Sequence, residues 1–195
     1  MNILSIDLTS ENHYICIFYL GEYYNFEFKE EDKTKRNDWD KKIETIEANI
    51  NSFDILNIDV CIYAAGPGSY TGARLAYTFL SSLEFINSTP FYAISNLSAI
   101  AANEKEMIPV IFGNNKDIFY QQDGKDVYCQ DLSRVQLLGK KLIGIQPDIE
   151  ALDKLLDKNS IAKSMIQIFL EDKKNILKEN FPNYIKQLDY RKIDG

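Results

Sequence analysis

The spacing of apolar residues changes along the first half of the chain and predicts strands at first, then strands alternating with helices. Residues 2–8, 13–20 and 23–28 are short runs rich in Ile, Leu, Tyr and Phe, separated by turn-forming residues. Runs of this length and composition predict an antiparallel meander of three strands.

A strand–helix alternation follows the meander. The apolar residues of segment 39–53 are separated by four, three, four and three positions, which places them on one stripe of a helix. These residues are Trp39, Ile43, Ile46, Ile50 and Phe53. Beyond them, the pattern predicts strands over 59–64 and 91–95 and helices over 72–86 and 96–102.

The second half repeats this alternation less clearly. Strands are predicted over 109–112, 117–121, 126–129 and 142–145, and helices over 147–156 and 161–170. Asp123-Gly124 is predicted to form a hairpin turn between two of these strands. A weak boundary near residues 103–107 divides the chain into segments 1–102 and 103–195. Together the elements favour the α/β class, with a mixed sheet and helices packed on it.

The composition argues against several kinds of metal and disulfide site. The chain contains 195 residues and a single His, so His13 cannot supply a His-rich zinc site or an HExxH motif. Cys16, Cys61 and Cys129 lie far apart and form no CxxC pair, which indicates neither a zinc knuckle nor a disulfide framework. We therefore expect no metal site, and a reducing compartment suits the three thiols.

The charge is uneven and argues against an autonomous nucleic-acid site. The first hundred residues hold 7 basic and 14 acidic side chains, whereas the remainder holds 15 of each. The only local basic excess is 7 Lys and Arg against 4 Asp and Glu in residues 161–192, which is typical of a solvated helix face. Neither a long apolar span nor a leader peptide is visible. We expect a soluble, cytoplasmic protein that does not span a membrane.

One glycine-rich loop stands between a predicted strand and a predicted helix. It reads Gly66-Pro67-Gly68-Ser69-Tyr70-Thr71-Gly72-Ala73-Arg74. Three glycines permit unusual backbone angles and close approach, and the N-terminus of the following helix attracts anions. The spacing matches neither a P-loop nor a dinucleotide-binding fingerprint. Two interpretations stay open: a phosphate-binding loop, and a tight structural turn that sets the helix against the sheet, which we favour.

The helix predicted over 72–86 is apolar around well over half of its circumference. Its interruptions are Arg74, Thr78, Ser81, Ser82 and Glu84. A helix that lies on one sheet needs only an apolar stripe, so the remaining apolar surface must be covered elsewhere. Either a second layer of the same chain or a partner protein covers it.

The loop closely resembles the GPGSFTGLR signature of the TsaB (YeaZ) family. Members of that family are the non-catalytic subunit of the bacterial machinery that makes threonylcarbamoyladenosine at position 37 of tRNA. The opening segment 3–10 resembles the family's N-terminal LxIDTST strand and turn, and residues 182–186 resemble its late PxYLR segment. The convincing resemblance covers residues 1–102.

The resemblance implies a fold, a role and partners. The fold would be actin-like and Hsp70-like (ASKHA), with two related subdomains over 1–102 and 103–195, the second shortened, divergent and ending in helices. The role would be that of a scaffold for the catalytic paralogue TsaD, with association to the ATPase TsaE. Family members pair through helices of the first subdomain, the region where the over-apolar helix lies.

Residues 38–53 and 72–87 are therefore predicted to form the partner interface. The interface residues we expect are Trp39, Ile43, Ile46, Ile50, Arg74, Tyr77, Leu80, Ser81 and Glu84. Without TsaD, the same surface is expected to form a homodimer, because an exposed apolar helix pair would otherwise face water. Any tRNA contact is assigned to a partner, since the excess negative charge lies in the half that carries the signature.

An active nucleotide-handling enzyme of the actin-like fold is the alternative. Such enzymes hold phosphates with a D-x-G-[ST] turn, but here Asp7-Leu8-Thr9 puts a bulky side chain where the turn needs glycine, and the chain has no Gly-Gly pair. We interpret Asp7, Thr9 and Ser10 as a degenerate phosphate turn. A metalloprotease lacks its second His, and a Ser69 nucleophile lacks an oriented base. We therefore expect no catalytic residue and no cofactor on this chain, with ATP used through its partners.

Overall fold

The computed structural model describes residues 1–29, 38–114, 116–171 and 175–186. Part of the basic stretch 161–192 thus lies outside the described residues. The first half contains β1 (Ile3–Asp7), β2 (His13–Tyr19), β3 (Glu22–Phe28), α1 (Trp39–Asn49), β4 (Val60–Ala64), α2 (Tyr70–Asn87), β5 (Phe91–Ile94) and α3 (Asn96–Ala101). The second half contains β6 (Ile108–Phe112), β7 (Ile118–Gln122), β8 (Lys125–Cys129), α4 (Leu132–Gln136), β9 (Leu142–Gly144), β10 (Lys154–Leu155) and α5 (Asn159–Glu171).

The first sheet has the strand order β3-β2-β1-β4-β5. β1, β2 and β3 form the predicted antiparallel meander, with Ile3 opposite Phe18 and Asp7 opposite Tyr14. β4 and β5 then run parallel to β1, and the parallel strands are buried along almost their whole length. Burial on both faces explains why β1 and β4 are continuous apolar runs in the sequence.

The second sheet has the order β10-β9-β6-β7-β8. β6, β7 and β8 are antiparallel, and the turn between β7 and β8 is the predicted Asp123-Gly124, where both residues have positive φ. β9 runs parallel to β6 and to β10. The predicted class, an α/β fold with mixed sheets and packed helices, is confirmed.

Helices cover both faces of the first sheet. On one face, α1 contributes Ile46 and α2 contributes Ala76 and Leu80 to a buried cluster with β1, β2 and β4. On the other face, α3 and α5 pack in a second cluster that also includes residues of β6, β7 and β9. This second cluster joins the two sheets into one core. No helix among the described residues combines the length and the apolar character needed to cross a membrane.

The predicted helix over 147–156 is wrong. Pro147-Asp148 resembles a helix start, but the chain makes only a turn here and then pairs with β9 as β10. Asp153 explains the difference, because its backbone N–H donates to Leu142 O at 3.0 Å and its carboxylate accepts from Leu142 N at 2.8 Å. These bonds hold the segment to the sheet edge.

Two further elements differ from the sequence prediction. The short helix α4 was not predicted, and α1 ends at Asn49, four residues before the predicted end. Ile50 and Phe53 still pack in the core after the helix has ended. The division into segments 1–102 and 103–195 stays a prediction; α5, in the second segment, packs against β1–β4 of the first sheet.

Candidate functional site

The glycine-rich loop connects β4 to α2 and is anchored at its end by a helix cap. Ser69 is the N-cap of α2, and its hydroxyl oxygen accepts from Gly72 N at 3.2 Å. A Ser at this position satisfies one of the free N–H groups that begin every helix. The backbone N–H of Ser69 donates to Thr9 O at 2.8 Å, which ties the loop to the turn after β1.

Two glycines allow the helix to approach that turn closely. A Cβ atom at Gly72 would lie 1.7 Å from the carbonyl oxygen of Leu8, which is closer than any side chain tolerates. At Gly68 a Cβ would lie 2.8 Å from the Cβ of Thr9, and φ there is +154°. The signature glycines therefore serve contact between α2 and the Leu8–Thr9 backbone.

A buried polar network joins the loop to the turn and to α3. Thr9 donates twice to Asp7 Oδ1, from its backbone N at 2.8 Å and from its hydroxyl at 2.6 Å. Asn96 donates from Nδ2 to Thr9 Oγ1 at 2.7 Å and accepts at Oδ1 from Gly66 N at 2.9 Å. The sequence predicted Asn96 only as the start of a helix and not as a site residue; its position two residues after β5, beside the sheet end that carries the loop, was the available signal.

Asp7 is the one acidic group at the centre of this network. Its side chain is fully buried, and burial raises the pKa of the carboxyl above its ordinary value of 3.8, although the hydrogen bonds from Thr9 oppose the rise. Asp7 Oδ2 has no hydrogen-bond partner within the described residues. Ser10, the last residue of the predicted phosphate turn, is half-buried. Among residues 1–29, 38–114, 116–171 and 175–186, no cluster of three His, Cys, Asp or Glu is placed to hold a metal.

Four backbone N–H groups in and next to the loop donate to atoms of the chain itself. The N–H groups of Ala65, Gly66, Ser69 and Gly72 donate to Ile94 O, Asn96 Oδ1, Thr9 O and Ser69 Oγ. A phosphate-binding loop instead leaves several N–H groups directed at the ligand. The geometry of these four donors favours the structural-turn interpretation.

Residues near the end of the described chain complete the surroundings of the loop. The backbone N–H of Asn183 donates to Ala65 O at 2.8 Å. Arg74 Nε donates to the hydroxyl of Tyr184 at 2.7 Å, and the ring of Tyr184 lies 5.2 Å from the ring of Tyr70. The resemblance of residues 182–186 to a family segment was the only sequence signal for this contact.

The nine predicted interface residues separate into a buried and an accessible group. Ile46, Ile50 and Leu80 are at most 2% exposed and belong to the core between α1, α2 and the first sheet. These three predictions are corrected, because a residue that packs against its own sheet cannot also face a docked partner. The apolar stripe that the sequence predicted for segment 39–53 thus faces the core through Ile46 and Ile50.

The other six are partly or fully accessible. Trp39, Ile43, Tyr77 and Ser81 are half-buried, and Arg74 and Glu84 are exposed. The Trp39 ring stacks on Phe79 with 3.7 Å between centroids and 7° between planes, which joins α1 to α2. Tyr77 contacts the rings of Tyr63, Phe91 and Phe181.

The last turns of α2 expose large apolar side chains that lie within the predicted segment 72–87 but were not among the nine named interface residues. Phe85 is 90% exposed and Ile86 is 71% exposed. They border a shallow groove whose other lining residues are Tyr77, Thr78, Ser81 and Ser82. Phe85 and Ile86 are on the over-apolar helix, but the sequence alone did not indicate which of its faces points outward.

Comparison with known proteins identifies similar chains. Residues 41–189 match the family model described as TsaD: tRNA N6-adenosine threonylcarbamoyltransferase. A Bacillus subtilis (strain 168) relative, the tRNA threonylcarbamoyladenosine biosynthesis protein TsaB, is 28% identical over 109 residues. This match covers 53% of the chain and 44% of the relative, so it spans less than half of that protein's length.

Two solved structures from Pseudomonas aeruginosa have a similar fold. One is an uncharacterized protein with similarity to peptidase YEAZ, with 14% identity, a TM-score of 0.66 and coverage of 95% of this chain and 99% of that one. The other is YeaZ, with 14% identity, a TM-score of 0.65 and coverage of 94% and 99%. At this identity the likeness concerns the fold alone.

Proposed function

Because this chain belongs to the family of the tRNA N6-adenosine threonylcarbamoyltransferase TsaD, we propose that it acts in the biosynthesis of threonylcarbamoyladenosine in tRNA, as a non-catalytic subunit that docks TsaD. The TsaB (YeaZ) family resemblance read from residues 66–74 is confirmed by the Bacillus subtilis relative. That relative is named as a biosynthesis protein for this modification, and the name supports the same pathway for this chain.

The exposed end of α2 is the observation that carries the docking proposal. Phe85 and Ile86 present apolar surface beside a groove, while α2 packs on the sheet through Leu80 and on α1 through the stack of Phe79 on Trp39. Apolar side chains on a fixed helix are typical of a surface that another protein covers. Arg74 and Glu84, both exposed on this helix, provide charges for the rim.

The turn after β1 supports a non-catalytic role. Thr9 stands where the D-x-G-[ST] pattern has its glycine, and the carbonyl of the preceding Leu8, a residue that is 1% exposed, is in contact with Gly72. In the adjacent loop, the N–H groups of Gly66, Ser69 and Gly72 donate to protein atoms. We propose that this chain holds no nucleotide by itself and that the assembled complex uses ATP through TsaD and TsaE.

Further partners follow from the same surface and from the charge. Without TsaD, the apolar end of α2 would be covered by a second copy of this chain. Since the first hundred residues carry twice as many acidic as basic side chains, tRNA contact is assigned to the partner subunits. We propose that the complex works in the cytoplasm.

A co-purification experiment with matched variants tests the docking surface. Phe85→Asp places a charge on the proposed interface, and we expect at least a tenfold loss of TsaD co-purification and of tRNA modification in a reconstituted assay. Leu137→Asp is the control, because Leu137 is 84% exposed but lies after α4 in the second half. Both variants should keep the wild-type melting temperature. Full TsaD binding by Phe85→Asp, and by a Phe85→Asp/Ile86→Asp double variant, would contradict the assignment.

Calorimetry with ATP separates the proposed scaffold from the alternative enzyme. The isolated chain should release no binding heat at submillimolar ATP, because the turn after β1 has no glycine and the N–H groups of Gly66, Ser69 and Gly72 already donate to protein atoms. A low-micromolar Kd for ATP on the isolated chain would favour the active nucleotide-handling enzyme.

A further inference from the structure

The segment 176–186 crosses the molecule after α5 and first extends the first sheet. Ile176 forms an antiparallel bridge with Ile94 of β5. The next backbone N–H, on Leu177, donates to Ala93 O at 3.0 Å. The outer edge of β5 is therefore paired with a segment that lies more than 80 residues later in the chain.

Asn180 continues this attachment with side-chain and backbone bonds. Its Nδ2 donates to Phe91 O at 2.5 Å, and its carbonyl accepts from the hydroxyl of Tyr63 at 2.8 Å. Phe181 then packs against Tyr77 of α2, with 5.7 Å between ring centroids. The segment thus reaches from the sheet edge to the helix that follows the signature loop.

Asn183 connects three parts of the molecule. Its backbone N–H donates to Ala65 O, immediately before the loop, at 2.8 Å. Its side-chain Nδ2 donates at 2.8 Å to Asp126 Oδ2 on β8 of the second sheet. The same carboxylate oxygen accepts from the hydroxyl of Ser95, between β5 and α3, at 2.5 Å.

Lys186 makes the last described contact of the segment, again with the second sheet. Its Nζ lies 2.7 Å from Asp117 Oδ2, and the ring of Tyr128 lies 5.4 Å from the same nitrogen. Tyr128 donates its hydroxyl proton to the other oxygen of Asp117 at 2.7 Å. Within its 11 residues, the segment contacts β5, α2, the backbone immediately before the loop and the β7–β8 hairpin.

We propose that residues 176–186 are a clasp that couples the signature loop to the β7–β8 hairpin of the second sheet. Asn183 is its central bond, because that one residue holds both the backbone before the loop and the carboxylate of Asp126. When this bond opens, the backbone amides of the loop and of the hairpin lose their protection from hydrogen exchange together. The amides of α1 and of the β1–β3 meander stay protected. The clasp is independent of the proposed function, since it concerns the isolated chain.

Hydrogen–deuterium exchange on the intact chain tests the coupling. Asn183→Ala removes the bond to Asp126 and keeps the backbone donor, and we expect about tenfold faster exchange in peptides that cover 61–72 and 118–129. Peptides from α1 and β2 should exchange at wild-type rates. Glu179→Ala is the matched control, because Glu179 is an exposed residue of the same segment and should leave both regions unchanged.

The proposal is overturned if Asn183→Ala speeds exchange only within 176–186, or speeds the loop without the hairpin. If Asn183→Ala does not fold, Asn183→Ser is measured instead, since its hydroxyl is too short to reach Asp126 but remains polar. Asn183→Ser should then show the same faster exchange in the peptides that cover 61–72 and 118–129. Binding of TsaD is not part of this measurement, so its outcome is separate from that of the docking experiments.

Discussion

At the scale of single residues, the site depends on residues whose surroundings leave no room for a different side chain. Gly72 lies where any side chain would meet the Leu8 carbonyl, and Asn96 is 1% exposed with both ends of its amide bonded. Asp7 is held by Thr9 from one side only. These contacts fix the turn, the loop and the start of α3 as one unit.

Gly72→Ala is expected to destabilise the chain by more than about 3 kcal/mol, because the new Cβ would overlap the Leu8 carbonyl and force α2 away from the turn. Urea unfolding followed by Trp39 fluorescence measures the change. Gly124→Ala is the control: it has open space around the new Cβ but φ of +73°, so it should cost about 1 kcal/mol from backbone strain alone. Equal costs for the two variants would contradict the close contact.

Asp7→Asn is expected to change the pH dependence of stability. Burial raises the pKa of Asp7 in the native state, so between pH 4 and that raised value the native chain binds more protons than the unfolded chain. Wild-type stability should therefore fall relative to Asp7→Asn as pH rises through this window, by up to about 1.4 kcal/mol per pH unit. Parallel curves of unfolding free energy from pH 4 to pH 8 would contradict the shift.

At the scale of elements, helix periodicity predicted α1, α2 and α5 well because each has a buried stripe that repeats every three or four residues. Periodicity could not orient α2, whose apolar residues cover most of its surface; Leu80 lies inward and Phe85 outward. The bonds of Asn96 and Asn183 could not be predicted, since they join distant residues, such as Thr9 and Asn96, 87 positions apart, that only the folded sheets bring together. Pro147-Asp148 predicted the start of a helix, and that prediction failed because the segment after it pairs with β9 instead.

The stack of Trp39 on Phe79 is expected to set the position of α1 against α2. Trp39→Ala should destabilise the chain by about 2 kcal/mol, less than a fully buried ring because Trp39 is half-exposed. Differential scanning calorimetry measures the effect as a fall in Tm of several degrees. The control is Phe85→Ala, a large exposed aromatic on α2, which should shift Tm by less than a degree or two. A larger effect at Phe85 would mean that the stack contributes little.

At the scale of the whole molecule, one buried cluster joins the two sheets. It includes Ile62 of β4, Ile111 of β6 and Met165 of α5. The segment 176–186 adds polar bonds between the same two parts. We therefore expect the described chain to unfold as one cooperative unit.

Thiol labelling tests that cooperativity, because the three cysteines are buried in different places. Cys16 and Cys61 lie in the first sheet, where burial raises the pKa of each thiol to about 12, and Cys129 is buried in the second. All three should be labelled only through global opening, at rates at least a thousandfold below that of a free thiol. Mass spectrometry of partly labelled chains should find unlabelled and fully labelled molecules in denaturant. Early labelling of Cys129 alone would contradict a single unit.

The placement of α5 also has a consequence for how the chain is made. β1–β4 are four of the five strands of the first sheet, yet α5, the helix that packs against these four strands, begins at Asn159. A ribosome adds about 5 to 20 residues per second, so roughly 5 to 20 s separate the synthesis of β4 from that of α5. Throughout that interval the nascent chain carries an uncovered apolar sheet face, the kind of surface that chaperones bind. The pace of translation through residues 65–160 therefore sets how long this protein depends on them.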